Sequence, residues 1–186
     1  MFEELITKYI PKNSKGYYIY ITHVNAVANA VKKICKNNPN LKIDNNLAYN
    51  AAILHDIGIC MVDAPIIGCH GFSPYIQHGI YGRLILEDEG LSEYAKFCET
   101  HIGTGLYATD VISQKLPLPI KDMIPLTIEE EIVCFADNFF SKSHGDITKP
   151  EQFEKVLEDI KKHGERGYLK FKEWCDLFDY SCIYRD

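Results

Sequence analysis

Apolar positions along this chain recur every three or four residues far more often than every second one. The stretches carrying that period are separated by clusters of Pro, Gly and Asn, the pattern of helices with one buried stripe. A short amphipathic piece near Phe2 to Ile10 is ended by Pro11 and the Asn13 to Gly16 stretch. From about Tyr17 to Lys36, the residues Tyr20, Val24, Val27, Val31, Ile34 and Cys35 share a face, until Asn37 to Asn40 closes the helix. Asp44 stands as N-cap to a third helix through Leu47, Ala48, Ala51 and Leu54, with Gly58 as its stop, which puts His55 and Asp56 in the last turn. The stretch from Cys60 to Ser73 reads as a loop laid over something rather than as core.

A fourth helix is expected from Ser73 and Pro74 to about Glu89, and a fifth, capped by Ser92, from Glu93 to His101. A short helix near Thr109 to Gln114 precedes the proline-rich KLPLPIKDMIP. Thr127 and Glu130 then form a T-x-x-E capping box that opens a helix to about Lys142. Two more helices, near Glu151 to His163 and Glu165 to Phe178, follow. With no repeat and no long strand-period alternation, the expected fold is all-α, an irregular helical bundle forming a single domain over 1–186. Its chemistry-bearing core is expected at about 17–142, and its closing helices at about 150–180.

Composition changes this picture little: 46% hydrophobic and 25% charged residues are ordinary for a globular chain of 186. Charge changes it more. A formal net charge of -6 argues against a nucleic acid polymer as partner, because such binding draws on clustered Lys and Arg. The same acidity suits an anionic substrate only if bound cations reverse the local field, which is what a metal site does. The N-terminal MFEELITKYI lacks the basic-then-apolar order of a signal peptide and no apolar run reaches bilayer length, so the expectation is a cytoplasmic protein without a membrane partner. Seven cysteines, odd in number and never in C-x-x-C spacing, suggest neither a disulfide framework nor a thiolate zinc site, and most are expected reduced and buried.

The candidate chemistry lies in polar residues set among apolar helical neighbours. Asp137 falls between Val133 and Phe140; Asp56 has Ala52, Ile53 and Ile59 in the same relation; His23 follows Ile19 and Tyr20; His101 follows Phe97 and Cys98. An unpaired imidazole or carboxylate is costly to bury, and no matching buried Lys or Arg is evident in these helices, so a shared divalent cation is the simplest partner. Singly, an inward His is more often a hydrogen-bonded core residue and a helical Asp more often a cap; jointly, they make a metal-site argument. The adjacent His55 and Asp56 diverge by about 100° on a helix and meet one centre only if it lies between them.

The ordered set of His23, the HDIG of His55-Asp56-Ile57-Gly58, His78, His101 and Asp137 resembles the HD-domain superfamily. The resemblance implies a phosphohydrolase acting on a phosphoester or phosphoanhydride of a small phosphorylated metabolite, nucleotides included. By it, His23, His55, Asp56 and Asp137 would hold one metal, and Asp56, as the catalytic carboxylate, would bridge to a second held by His78 and His101. His70 is the alternative to His78. One or two divalent ions are implied, among iron, manganese, zinc, cobalt and magnesium, and the histidines favour a transition metal. Many members carry a lysine directly after HDIG, where this chain has Ile59. Its replacement, and the rest of the substrate contacts, are sought among His70, Arg83, Lys115, Lys121 and Lys142. The alternatives are a binuclear iron oxygenase of the same fold and a non-catalytic nucleotide-binding module. Oligomeric state is not legible.

Overall fold

The computed structural model describes residues 2–185. Among them nine α-helices form the bundle: α1 (Glu3–Tyr9), α2 (Lys15–Asn37), α3 (Asn45–Leu54), α4 (His78–Asp88), α5 (Ser92–Thr100), α6 (Ala108–Ser113), α7 (Ile128–Asp137), α8 (Phe153–Lys162) and α9 (Glu165–Leu177). The expected helices are all present. The one sheet among the described residues is a two-stranded antiparallel ribbon, β1 (Asp63–Ala64) against β2 (Cys69–His70), with Asp63 opposite His70.

Helix α2 is the spine. Ser14 caps it by accepting from the Tyr17 N–H, and its buried stripe of Tyr20, Val24, Val27, Val31 and Ile34 packs on α3 and α7. Asp44 caps α3, its Oδ1 accepting from the Asn46 and Leu47 N–H groups. A second pair, α4 on α5, flanks this layer. A continuous core runs from Ile6 to Ile183, and a smaller cluster of Val111, Leu118 and Met123 sits under the proline-rich segment. The C-terminal helices close the core through Phe135, Phe139, Phe171, Trp174 and Phe178, whose rings pack edge-on and tilted.

Four expectations are corrected. Helix α3 ends at Leu54, and Asp56 (φ -106°, ψ 7°) has left the helix before a tight 3-10 turn at Ile57–Met61. Gly58 is therefore no helix stop. It is a point of close approach, where a Cβ would stand 2.0 Å from the His78 carbonyl oxygen and 2.3 Å from the Gly82 N. Helix α7 stops at Asp137 rather than near Lys142, so Asp137 is its last residue, not a mid-helix one. The Cys60 to Ser73 stretch contributes Val62, Ala64, Ile67 and Cys69 to the core, so it is not merely a cover. The capping box is half-formed: Thr127 accepts from the Glu130 N–H, but the Glu130 carboxylate takes the Leu126 N–H instead.

Candidate metal centre

Six of the residues singled out in the sequence converge. His55 and Asp56 follow the C-terminus of α3, His101 follows that of α5, and Asp137 ends α7, while His23 comes from the middle of α2 and His78 begins α4. Three helix C-termini thus point at one place. Each carries the negative end of its peptide dipoles, a field that opposes a carboxylate and favours a cation. The close packing is made possible by glycines: Gly58 lies on α4, and a Cβ at Gly79 would stand 2.4 Å from the Cys98 carbonyl oxygen of α5.

The imidazoles and carboxylates fall into two groups joined by Asp56. On one side, His23 Nε2 lies 2.9 Å from Asp137 Oδ1 and 3.3 Å from Asp56 Oδ2, and His55 Nε2 lies 3.3 Å and 3.6 Å from the same two oxygens. On the other, Asp56 Oδ1 lies 3.3 Å from His78 Nε2 and 3.4 Å from His101 Nε2. All are buried except Asp137, whose side chain is 14% exposed and gives the cluster its outlet.

Backbone carbonyls fix the ring orientations. His55 Nδ1 donates to Ala52 O (2.8 Å), His78 Nδ1 to Tyr75 O (2.7 Å) and His101 Nδ1 to Cys98 O (2.8 Å). A carbonyl only accepts, so the proton sits on Nδ1 and a neutral ring turns its Nε2 lone pair inward. The consequence is strongest where His78 Nε2 and His101 Nε2 stand 2.9 Å apart, two lone pairs face to face in neutral rings. His23 Nε2, His55 Nε2, Asp56 Oδ1 and Asp137 Oδ1 are buried without a completed hydrogen bond, and Asp56 Oδ2 has only an ammonium, that of Lys142, beside it. Buried polar atoms in that state demand a partner, and a divalent cation with nitrogen and oxygen ligands is one that satisfies them together. Ligand atoms of His23, His55 and Asp137, and of His55, Asp56 and His101, lie close enough to share an ion.

Protonation follows the same geometry. Burial, with the nearby Lys142 charge, lowers His23 to about 4, and burial lowers His78 to about 3 against the attraction of Asp56. For His55 burial works downward, but Asp56 and Asp137 outweigh it and raise its pKa. Burial alone would raise both aspartates; Lys142 and the surrounding histidines reverse this and hold them well below the usual carboxylate range.

Lys142, from the segment after α7, reaches this place: its Nζ lies 2.8 Å from Asp56 Oδ2 and 3.9 Å from Asp137 Oδ1. Burial opposes its charge, yet the two carboxylates hold its pKa above the ordinary lysine value. Other candidates are engaged elsewhere. Arg83 donates to Glu87 and Glu99, and Lys121 pairs with Glu99. Lys115 is exposed, and His70 lies exposed on β2 and belongs to neither ligand group. Between His78 and His70, the structure brings His78 into the cluster.

Tyr75 was not foreseen. Its ring stacks on His78 at 4.7 Å, and burial of its phenol pushes the pKa up to about 12, with the Lys142 ammonium beside it working the other way. Its position three residues before His78 is the one trace the sequence held. Asn138 also escaped notice; its amide donates to Gly103 O at 2.6 Å and pins the turn after His101 to α7.

Fold and site together define an all-helical protein with a buried histidine and aspartate cluster suited to divalent cations. The HD domain family model matches residues 20–141, and the chain belongs to that family. It is 34% identical over 145 residues to a tRNA (cytidine(56)-2'-O)-methyltransferase of Thermoplasma volcanium, covering 77% of this chain and 37% of that protein. A protein of the same name from Picrophilus torridus is 32% identical over 146 residues, or 38% of its length. The chain thus spans little more than a third of those two relatives. An uncharacterized protein of Methanocaldococcus jannaschii is 34% identical over 136 residues, 73% of this chain and 70% of that one. Among solved structures, the HD domain of the L. monocytogenes phosphodiesterase PgpH superposes with TM-score 0.53 at 15% identity, covering 90% of this chain and 93% of that one. The same domain in complex with cyclic-di-AMP gives 0.57 at 17% identity, covering 96% and 91%. At such identities the likeness is one of fold. No helix among the described residues is long and apolar enough to cross a membrane.

Proposed function

We propose that this chain is a metal-dependent phosphohydrolase that cleaves a phosphoester or phosphoanhydride of a small phosphorylated metabolite, with nucleotides the first candidates. The observation that carries this is Asp56, buried, with one carboxylate oxygen in each of two histidine-bearing groups. His23, His55, Asp56 and Asp137 would hold one divalent ion, and Asp56, His78 and His101 the other. When bound, such ions supply Lewis acidity that acidifies water and draws charge from phosphoryl oxygens.

The remaining work falls to the chain itself. Carbonyl-anchored Nδ1–H groups hold three rings in one tautomer, so no proton need move before ligands are presented. In the hydrolysis, the oxygen of water bonds to phosphorus, the bond to the leaving oxygen breaks, and that oxygen takes up a proton. The Tyr75 phenol, stacked on His78, stays protonated at neutral pH and would serve as a hydrogen-bond donor to a phosphoryl or leaving oxygen. The partial exposure of Asp137 leaves the substrate an approach from that side.

The test is metal analysis of protein purified without chelator, then phosphate release from nucleotides, dinucleotide polyphosphates and simple phosphoesters with iron, manganese or cobalt. The cyclic-di-AMP held by the Listeria domain adds cyclic dinucleotides to the panel, and the tRNA methyltransferases among the relatives add ribonucleotides. Metal-dependent release that His55→Ala abolishes is expected. Protein without tightly bound metal, or full activity in His55→Ala, would overturn the reading, and oxygen-dependent substrate loss without phosphate release would favour an oxygenase.

A further inference from the structure

Lys142 stands at a boundary. Its side chain is only 12% exposed, its Nζ touches Asp56, and it also lines an open cleft of about 380 Å³ with Lys15, Tyr18, Ile66, Ser143 and Thr148. The residue thus links the ligand cluster to that cleft. Among the described residues, the neighbouring cations Arg83, Lys121 and Lys96 are paired with Glu87, Glu99 and Glu130, which leaves Lys142 as the cation turned to the cluster.

Charge at this place is a matter of counting, because a buried centre tolerates little imbalance. Asp56 and Asp137 bring two negative charges and Lys142 one positive; the rings, presenting lone pairs, bring none. With two divalent ions the centre carries three positive charges, and two remain once an attacking hydroxide is counted. A phosphate with two negative charges cancels them; a diester, with one, does not. Without Lys142 the balance would suit the diester.

Resting on the hydrolase reading, we propose that Lys142 selects substrate by charge: it holds a non-bridging oxygen of a doubly charged phosphate, a monoester or terminal phosphate, and disfavours diesters. As the ammonium lies against carboxylates that would also face the ions, it repels them as well, so its removal strengthens metal binding while weakening phosphate binding. A residue with a merely structural role would weaken both.

The experiment uses the metal-loaded protein and two probes at pH 8, inorganic phosphate and dimethyl phosphate, with affinities read by calorimetry. Wild type is expected to prefer inorganic phosphate by about tenfold or more, the scale of a charge-assisted hydrogen bond in a shielded site. In Lys142→Met, inorganic phosphate should weaken by about tenfold or more while dimethyl phosphate shifts little, and in Lys142→Arg the preference should persist. Metal titration should give Lys142→Met an affinity equal to or above that of wild type. If Lys142→Met does not fold by circular dichroism, Lys142→Gln is read in its place. Undiminished phosphate affinity, or weakened metal binding, in the folded uncharged variant overturns the proposal. A wild-type protein that takes up no metal would instead bring down the hydrolase reading beneath it.

Discussion

Asp56 ties the two halves of the cluster together, because each of its oxygens faces a different group of histidines. An asparagine there would offer one acceptor and turn an N–H toward the other group. Asp56→Asn is therefore expected to lose both ions, with metal affinity reduced by about tenfold to a hundredfold and hydrolysis reduced at least as much. His78→Ala should halve the metal content and spare the His23 side; elemental analysis and calorimetry distinguish the two patterns. Retention of both metals by Asp56→Asn would exclude a bridging role. The histidines also set a pH dependence. His23 and His78, lowered to about 4 and 3, stay neutral when folded, while the unfolded chain takes up protons below about 6.5. The unfolded state thus binds more protons, and stability falls as pH drops from 6.5 toward 4. His55, raised, works in the opposite sense at and above about pH 6.5, so below that the two lowered rings set the slope. Thermal unfolding of chelated protein should show a lower midpoint at pH 5 than at pH 7.5; a higher one would contradict these environments.

At the scale of elements, the cluster is built from helix ends. The first residues past α3 and α5 and the last of α7 supply the ligand-type side chains, and the fields of three C-termini favour the same cation. What sets these ends against α4 is backbone-on-backbone packing at Gly58, Gly79 and Gly82. Gly58→Ala must push α4 away from the turn that follows Asp56. The expected cost is about 2–3 kcal/mol in urea unfolding, with weaker binding of the ion that needs His78. An unaltered unfolding midpoint with unaltered metal stoichiometry would show that the turn has room to spare.

For the molecule as a whole, metal and fold should be linked. The unsatisfied buried atoms of four site residues lie among helices α2, α3 and α7, so an ion that completes them binds the folded chain alone. Removing it with chelator should lower the melting temperature, and metal at about a thousandfold over its dissociation constant should restore about 4 kcal/mol. The aromatic closure from α9 is a separate matter: Trp174 packs on Phe135 and Phe171, away from the ligand groups. Trp174→Ala should destabilise by about 3–5 kcal/mol whether or not metal is present. Equal melting of loaded and chelated wild type would mean that the cluster is satisfied by some other means.

Hydrophobic period, caps and breakers were enough to locate every α-helix among the described residues, since these are local properties of a few consecutive side chains. Inward polar residues flanked by apolar ones could likewise be recognised as needing partners, because the cost of burial depends on chemistry and not on the route of the chain. Packing decided the rest. Where α3 and α7 stop, why Gly58 must be glycine, that Tyr75 and Lys142 meet beside Asp56, and that Arg83 and Lys121 are held by Glu99 all depend on contacts between segments distant in sequence. Such contacts leave no period along the chain, so only the assembled bundle could show which cation faces the site and which two oxygens of one aspartate join its halves.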